Sequence, residues 1–197
     1  MIQKQYDNPA LQRLMDGNVR YVNGTLQHRH SDPEYREKLI HGQKPIAAIL
    51  GCSDSRVPLE MIFDQGLGDI FVIRVAGNVT NEVTIGSVEF AVSVLNVPIV
   101  MVIGHSQCGA VTAASTDNMD ELYEGYLFRL INHIRPAVRR AGALSGDLVD
   151  NAIRINAQIM AQNLIDKSDL IANAANSHQT KVVSAYYDLA SGIVDVL

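Results

Sequence analysis

VMVIGHSQCGA (residues 100–110) and AAILGCSDSR (residues 47–56) share one design. Each runs apolar, ends on a glycine, and passes at once into a residue able to bind a metal: His105 in the first, Cys52 in the second. Together with residues 70–75, these stretches (45–51 and 97–104 at their full extent) are short, β-branched and apolar but for Arg74. Strands of that kind belong to a parallel sheet covered on both faces, because neither face can carry polar side chains. Between 70–75 and 97–104, residues 81–95 place Ile85, Val88, Ala91, Val92 and Leu95 on one helical face, so a strand–helix–strand unit follows from the order alone.

The rest of the chain reads mostly as helix. Residues 8–22 show helical spacing at Leu11, Leu14, Met15, Val19 and Val22, with Asn8 before Pro9 as the expected N-cap. Residues 23–33 read as a polar loop and 34–40 as a short helix. The run GAVTAAS after Cys108 is small and helix-compatible, with further helices expected over 119–134 and 136–143. Over 147–165, Leu148, Ala152, Ile155, Ile159 and Leu164 mark the expected buried face, behind an aspartate at the start. The closing KVVSAYYDLASGIVDVL alternates, turns near Gly192 and resumes, as a hairpin or edge strand does. The expected layout is one domain over 1–197: an N-terminal helical arm (1–40), a core carrying the candidate site (44–115), a helical region (116–180) and the C-terminal strand or hairpin (181–197).

Composition narrows the function. With 47% hydrophobic and 19% charged residues, the 197-residue chain is globular rather than disordered. A net charge of -5 argues against a dedicated nucleic-acid binder. No apolar run approaches the ~18 residues of a membrane helix. The start, MIQKQYDNPALQ, lacks the apolar stretch of a secretory signal, so a cytoplasmic address is expected. Thiols stay reduced there, which favours a metal or catalytic role for the only two cysteines, Cys52 and Cys108, over a disulfide.

In open parallel sheets, ligands collect beyond the carboxyl ends of the strands. That rule brings Cys52, His105 and Cys108 to one edge. Two thiolates and an imidazole suit zinc, and three protein ligands leave the fourth tetrahedral position open for chemistry. The residues alone also admit the alternative that both cysteines are small buried apolar side chains. Asp54 and Arg56 beside Cys52 read either as part of the chemistry or as a surface ion pair worth ~0–1 kcal/mol.

CSDSR (52–56) followed by GHSQCGA (104–110) resembles the paired signature of the β-class carbonic anhydrases. The likeness extends through GQKP (42–45), FVIRVAGN (71–78) and SVEFA (87–91), and more weakly through LMDGNVRYVNG and AYYDLASGIV, but not over 116–143. The resemblance implies one zinc per subunit on Cys52, His105 and Cys108, and reversible hydration of carbon dioxide to bicarbonate and a proton by a zinc-bound hydroxide. Asp54 would accept a hydrogen bond from that hydroxide, and Arg56 would hold Asp54 ionised. Two thiolates make the zinc a weaker Lewis acid than a three-histidine site, so this help is needed.

Gln43, Phe71 and Phe90 match positions lining the family's small substrate pocket, and the N–H of Gly109 would steady a substrate oxygen. Family members also form dimers or dimers of dimers in which subunits complete each other's pockets. The expected fold is accordingly α/β, with a mostly parallel sheet of core order 2-1-3-4, an antiparallel C-terminal edge strand, helices on both faces and a projecting N-terminal helix.

Some relatives close the site by swinging the aspartate onto zinc, an inhibited form favoured by an effector pocket of Trp, Arg and Tyr. Arg74 matches the arginine and Tyr186 or Tyr187 the tyrosine, but Ile49 stands in the tryptophan's place and the chain has no Trp. The open site is therefore expected near neutral pH. Two other functions fit the same residues: hydrolysis of carbonyl sulfide or carbon disulfide, and a zinc or thiol sensor without turnover. His28, His30, His41, His133 and His178 offer proton shuttles without singling one out.

Overall fold

Alternation within the apolar strands determines how the molecule is layered. In the computed structural model, which describes residues 4–197, Ala48, Leu50, Val100 and Val102 enter one buried cluster, while Ala47, Ile49, Ile99, Met101 and Ile103 enter another on the opposite face. Successive side chains of a strand point to opposite faces, so a run that is apolar at every position needs cover on both.

In chain order the elements are α1 (Pro9–Val22), α2 (Pro33–Lys38), β1 (Ala47–Gly51), α3 (Leu59–Ile62), β2 (Ile70–Arg74), α4 (Glu82–Ser93) and β3 (Ile99–His105). There follow α5 (Gly109–Ala114), α6 (Met119–Leu122), α7 (Gly125–Asn132), α8 (Arg135–Ala141), α9 (Leu148–Lys167), α10 (Asp169–Asn176), β4 (Lys181–Tyr187) and β5 (Val194–Val196). The five strands form one sheet in the order β2-β1-β3-β4-β5. Only the β4–β5 pair is antiparallel. The expected order and the C-terminal hairpin are therefore observed, and β1 and β3 end side by side at one edge.

The N-terminal helix differs from expectation. The side chain of Asn8 caps it, accepting from the N–H groups of Ala10 and Leu11, as the sequence suggests. Rather than projecting, however, α1 lies on its own sheet. Leu11 and Leu14 are buried with Ile49 and Phe63, and a Cβ at Gly17 would overlap the Phe63 carbonyl oxygen. Asn18 is buried and donates to the carbonyls of Ile62 and Gly192 at 3.2 and 2.9 Å, while accepting from the Val194 N–H at 3.0 Å. A glycine–asparagine pair on the inner face is what lets this helix sit so close. Residues 1–3 of the expected arm lie outside the described residues.

Two helices were placed differently by pattern alone. The expected helix over 119–134 is interrupted at Gly125, whose φ of 62° is left-handed, and stops before Pro136 in the first turn of α8. In α9 the buried face is Ala152, Ile153, Asn156, Ala157, Met160, Ala161 and Leu164, while Leu148 is exposed and Ile155 and Ile159 lie half-buried on the flank. The helix passes directly over the end of β3, where the small residue at the close approach is Gly104 on the strand. A Cβ at Gly104 would lie 3.0 Å from Ile153 Cγ2 and 3.1 Å from the Ile153 carbonyl oxygen.

Candidate metal centre

The β3 end supplies two of the three donors. His105 is the last residue of β3 and fully buried. Its Nδ1 lies 2.9 Å from the Ser106 carbonyl oxygen, which can only accept, so Nδ1 carries the proton and Nε2 presents its lone pair. Gln107 turns the chain with φ of 55°, and Cys108 follows at the N-terminal boundary of α5. The β1 end supplies Cys52 directly. Both thiols are buried and unbridged, and Cys52 Sγ, Cys108 Sγ and a ring nitrogen of His105 lie within 4.8 Å of one another. Among the described residues, this is the one such cluster of His, Cys, Asp and Glu.

The cluster fits a metal on its own chemistry. His105 Nε2 is buried without a hydrogen-bond partner, which is costly unless something binds its lone pair. The Cys108 thiol, hydrogen-bonded to Cys52, pulls the Cys52 pKa down to about 4, against the effect of burial and with help from His105. The same contact and burial push Cys108 far up. Of the two sulfurs, Cys52 is therefore the one that gives up its proton more readily, and it lies beside the free imidazole nitrogen. Two sulfurs and one nitrogen match zinc with an open fourth position.

Asp54 and Arg56 form a forked pair beside this cluster. Arg56 Nε donates to Asp54 Oδ1 at 2.9 Å, Nη2 to Oδ2 at 2.8 Å, and the Arg56 backbone N–H to Oδ1 at 2.9 Å. The guanidinium holds the Asp54 carboxyl well below the usual carboxylate range, although partial burial opposes it. Asp54 Oδ2 lies 3.9 Å from His105 Nε2. Arg56 Nη2 also reaches the Gln107 carbonyl at 3.2 Å, tying one strand-end loop to the other.

Sequence reasoning missed three residues that build the site. Arg74, expected in an effector pocket, donates from Nε to the Cys52 carbonyl at 2.9 Å and from Nη2 to the Asp54 carbonyl at 2.6 Å. The Gly77 N–H points at Cys52 Sγ at 3.3 Å. Gly77 has φ of 66°, and a Cβ there would meet Ile134 Cδ1 at 2.6 Å. Asn156, fully buried on α9, donates to the Gly77 carbonyl at 2.9 Å. The available signal was position: β2 runs parallel to β1, with Arg74 level with Gly51, so RVAGN had to arrive at the same edge.

The remaining expected residues take several positions in the fold. Gly109 opens α5 immediately after Cys108. Phe71 lies near the start of β2, level with Ala48, and its ring is 6.1 Å from that of Phe90, which is 47% exposed on α4. Gln43 is exposed ahead of β1, at the edge opposite Cys52. The effector set is also dispersed. Ile49 is buried within β1. Tyr186 donates to the Asp150 carboxylate beneath the Arg154 guanidinium, and burial followed by Asp150 pushes its pKa up to about 12. Tyr187 meets the Tyr21 hydroxyl at 3.3 Å on the opposite face. Of the other histidines, His30 pairs with Asp69 at 2.9 Å and stacks on Tyr35.

A mostly parallel sheet with a buried three-donor cluster at its carboxyl edge has the layout of a metalloenzyme. The family model for carbonic anhydrase matches residues 47–194. Carbonic anhydrase 2 of Mycobacterium tuberculosis is 40% identical over 187 residues, covering 93% of this chain and 89% of that protein. The carbonic anhydrase of Mycolicibacterium smegmatis is 37% identical over 191 residues, covering 95% and 91%. Among solved structures, the β-carbonic anhydrase CafA of Aspergillus fumigatus superposes with a TM-score of 0.75 at 28% identity, covering 91% of this chain and 86% of that one. The chain belongs to the β-class carbonic anhydrases and is an enzyme of that family. No helix among the described residues is long and apolar enough to cross a membrane.

Proposed function

We propose that the protein hydrates carbon dioxide reversibly to bicarbonate and a proton, with zinc held by Cys52, His105 and Cys108. The observation that carries this reading is the buried cluster itself, with an unpartnered imidazole nitrogen facing two thiols beside an ionised Asp54–Arg56 pair. When bound, zinc would supply a Lewis acid that promotes the ionisation of water, weakened by the two thiolates and aided by the neighbouring Asp54–Arg56 pair.

The chain's own residues do the rest. Asp54, kept anionic by Arg56, accepts a hydrogen bond from the attacking oxygen and turns a lone pair toward the substrate carbon. Because Arg56 already occupies both carboxylate oxygens, Asp54 stays off the metal, and the site is open near neutral pH. The N–H of Gly109 steadies the product's oxygen. Gln43 and the exposed Phe90 act in a neighbouring subunit's pocket, a reading supported by their distance along the fold from their own Cys52. The assembly is a dimer or a dimer of dimers.

Stopped-flow hydration of carbon dioxide between about pH 6.5 and about pH 9, with zinc analysis on the same sample, tests the proposal. One zinc per chain with a rate that rises with pH is the expected result. Zinc present without hydration, but with turnover of carbonyl sulfide, would move the activity to that substrate.

A further inference from the structure

The geometry points to Arg74 as a positioning residue for the reaction: its guanidinium is a clamp that fixes the Cys52–Ser53–Asp54 turn from the neighbouring strand. The inference rests on the proposed hydration reaction, with Asp54 as the group that orients the attacking oxygen.

Arg74 ends β2 level with Gly51, and the Val75 N–H donates to the Gly51 carbonyl at 3.1 Å, so the backbone ladder between the strands stops just before Cys52. Beyond that point the turn has no strand partner. Arg74 takes over, with Nε on the Cys52 carbonyl at 2.9 Å and Nη2 on the Asp54 carbonyl at 2.6 Å. One planar fork thereby sets the spacing between a metal donor and the carboxylate that acts beside it. A guanidinium offers two rigid donors at once, which an ammonium cannot. Among the described residues no carboxylate pairs with Arg74, so its hydrogen bonds go to this turn rather than to an ion pair. Arg56 then grips the carboxylate end of a residue whose backbone Arg74 already holds.

The test uses the full-length zinc-loaded protein with Arg74→Lys, which keeps the charge but can serve one carbonyl, and Arg74→Met, which serves neither. Expected losses in kcat/KM are about tenfold for Lys and about a hundredfold for Met, mostly in kcat, since misplacing a reacting group by ~1 Å costs that much. Loss of zinc to a competing chelator should quicken by about tenfold in Arg74→Met, as for other residues that orient a ligand. In an Asp54→Asn background the same substitutions should cost less than about threefold, because the group being positioned is already disabled. Wild-type rates and chelator kinetics for Arg74→Lys would overturn the inference, as would losses that multiply in full with Asp54→Asn. Thermal unfolding of the stripped Arg74→Lys protein near the wild-type midpoint shows that the fold is intact; a large drop there, with kcat/KM unchanged, would reduce Arg74 to a structural strut. If the wild type fails to hydrate carbon dioxide, the hydration proposal falls, while the chelator kinetics still decide whether Arg74 holds the Cys52 turn.

Discussion

The two strand-end loops leave neighbouring parallel strands at the same edge, yet they are held by different means. The β3 loop, residues 105–108, is fixed largely by backbone: His105 continues the strand, Ser106 N–H donates to the Tyr187 carbonyl at 2.9 Å, and Cys108 leads straight into α5. The β1 loop, residues 52–56, is held by two guanidinium groups, with Arg74 on its backbone and Arg56 on its carboxylate. The difference separates two jobs. A loop made rigid by strand and helix suits ligands that must not move, whereas a loop fixed by side chains can carry a group whose orientation matters to the reaction.

The largest expected effect breaks the β3 side. Cys108→Ser should lower zinc from one per chain to near none and reduce hydration by more than about a thousandfold. Metal analysis beside the rate assay checks this. On the β1 side, Asp54→Asn should leave zinc in place and still cost about a hundredfold or more near neutral pH. If Asp54→Asn also emptied the metal site, the proposed division of labour would be wrong.

A third substitution addresses the support behind Cys52. Gly77→Ala adds a Cβ at a left-handed residue, 2.6 Å from Ile134 Cδ1. It should destabilise the fold by about 2–3 kcal/mol in urea titrations and weaken metal retention at the same time.

The smallest effect belongs to a pair remote from both loops. Burial raises the Asp64 pKa, but hydrogen bonds from Arg20 at 2.6 Å and from the N–H groups of Gln27 and His28 outweigh it and hold the carboxyl below its usual value. A carboxyl depressed in the folded state contributes stability that is complete above its unfolded pKa of about 3.9 and is lost as pH falls through the folded value. Arg20→Gln should therefore cost about 1 kcal/mol at neutral pH, with a gap to wild type that narrows toward about pH 3 and no change in zinc content. A gap that widened on acidification would reverse the sign of this argument.

Much of this was legible from residues alone. Apolar runs predict a doubly covered sheet, Asn8–Pro9 marks a helix start, and the glycine–donor junctions at Cys52 and His105 mark the site. The donor cluster is where that reasoning placed it. What escaped depends on close approach rather than on periodicity. Gly17 and Asn18 seat α1 on its own sheet, and Gly104 lets Ile153 of α9 press against the end of β3, so that the buried face of α9 falls on Ile153 and Asn156 rather than on Ile155 and Ile159. Arg74 escaped for another reason. Its donors act on carbonyl oxygens, which every residue has, so nothing in its neighbours' identities reveals the contact. The spread of Gln43, Phe71 and Phe90 away from Cys52 likewise follows from topology that only three dimensions display.

Anomalous scattering at the zinc edge, from crystals grown near neutral pH, tests the central claim most directly. The account predicts a single peak bonded to Cys52 Sγ, His105 Nε2 and Cys108 Sγ, with the Asp54 carboxylate still forked onto Arg56. A peak elsewhere, or Asp54 turned away from Arg56 and bound to the metal, would contradict it.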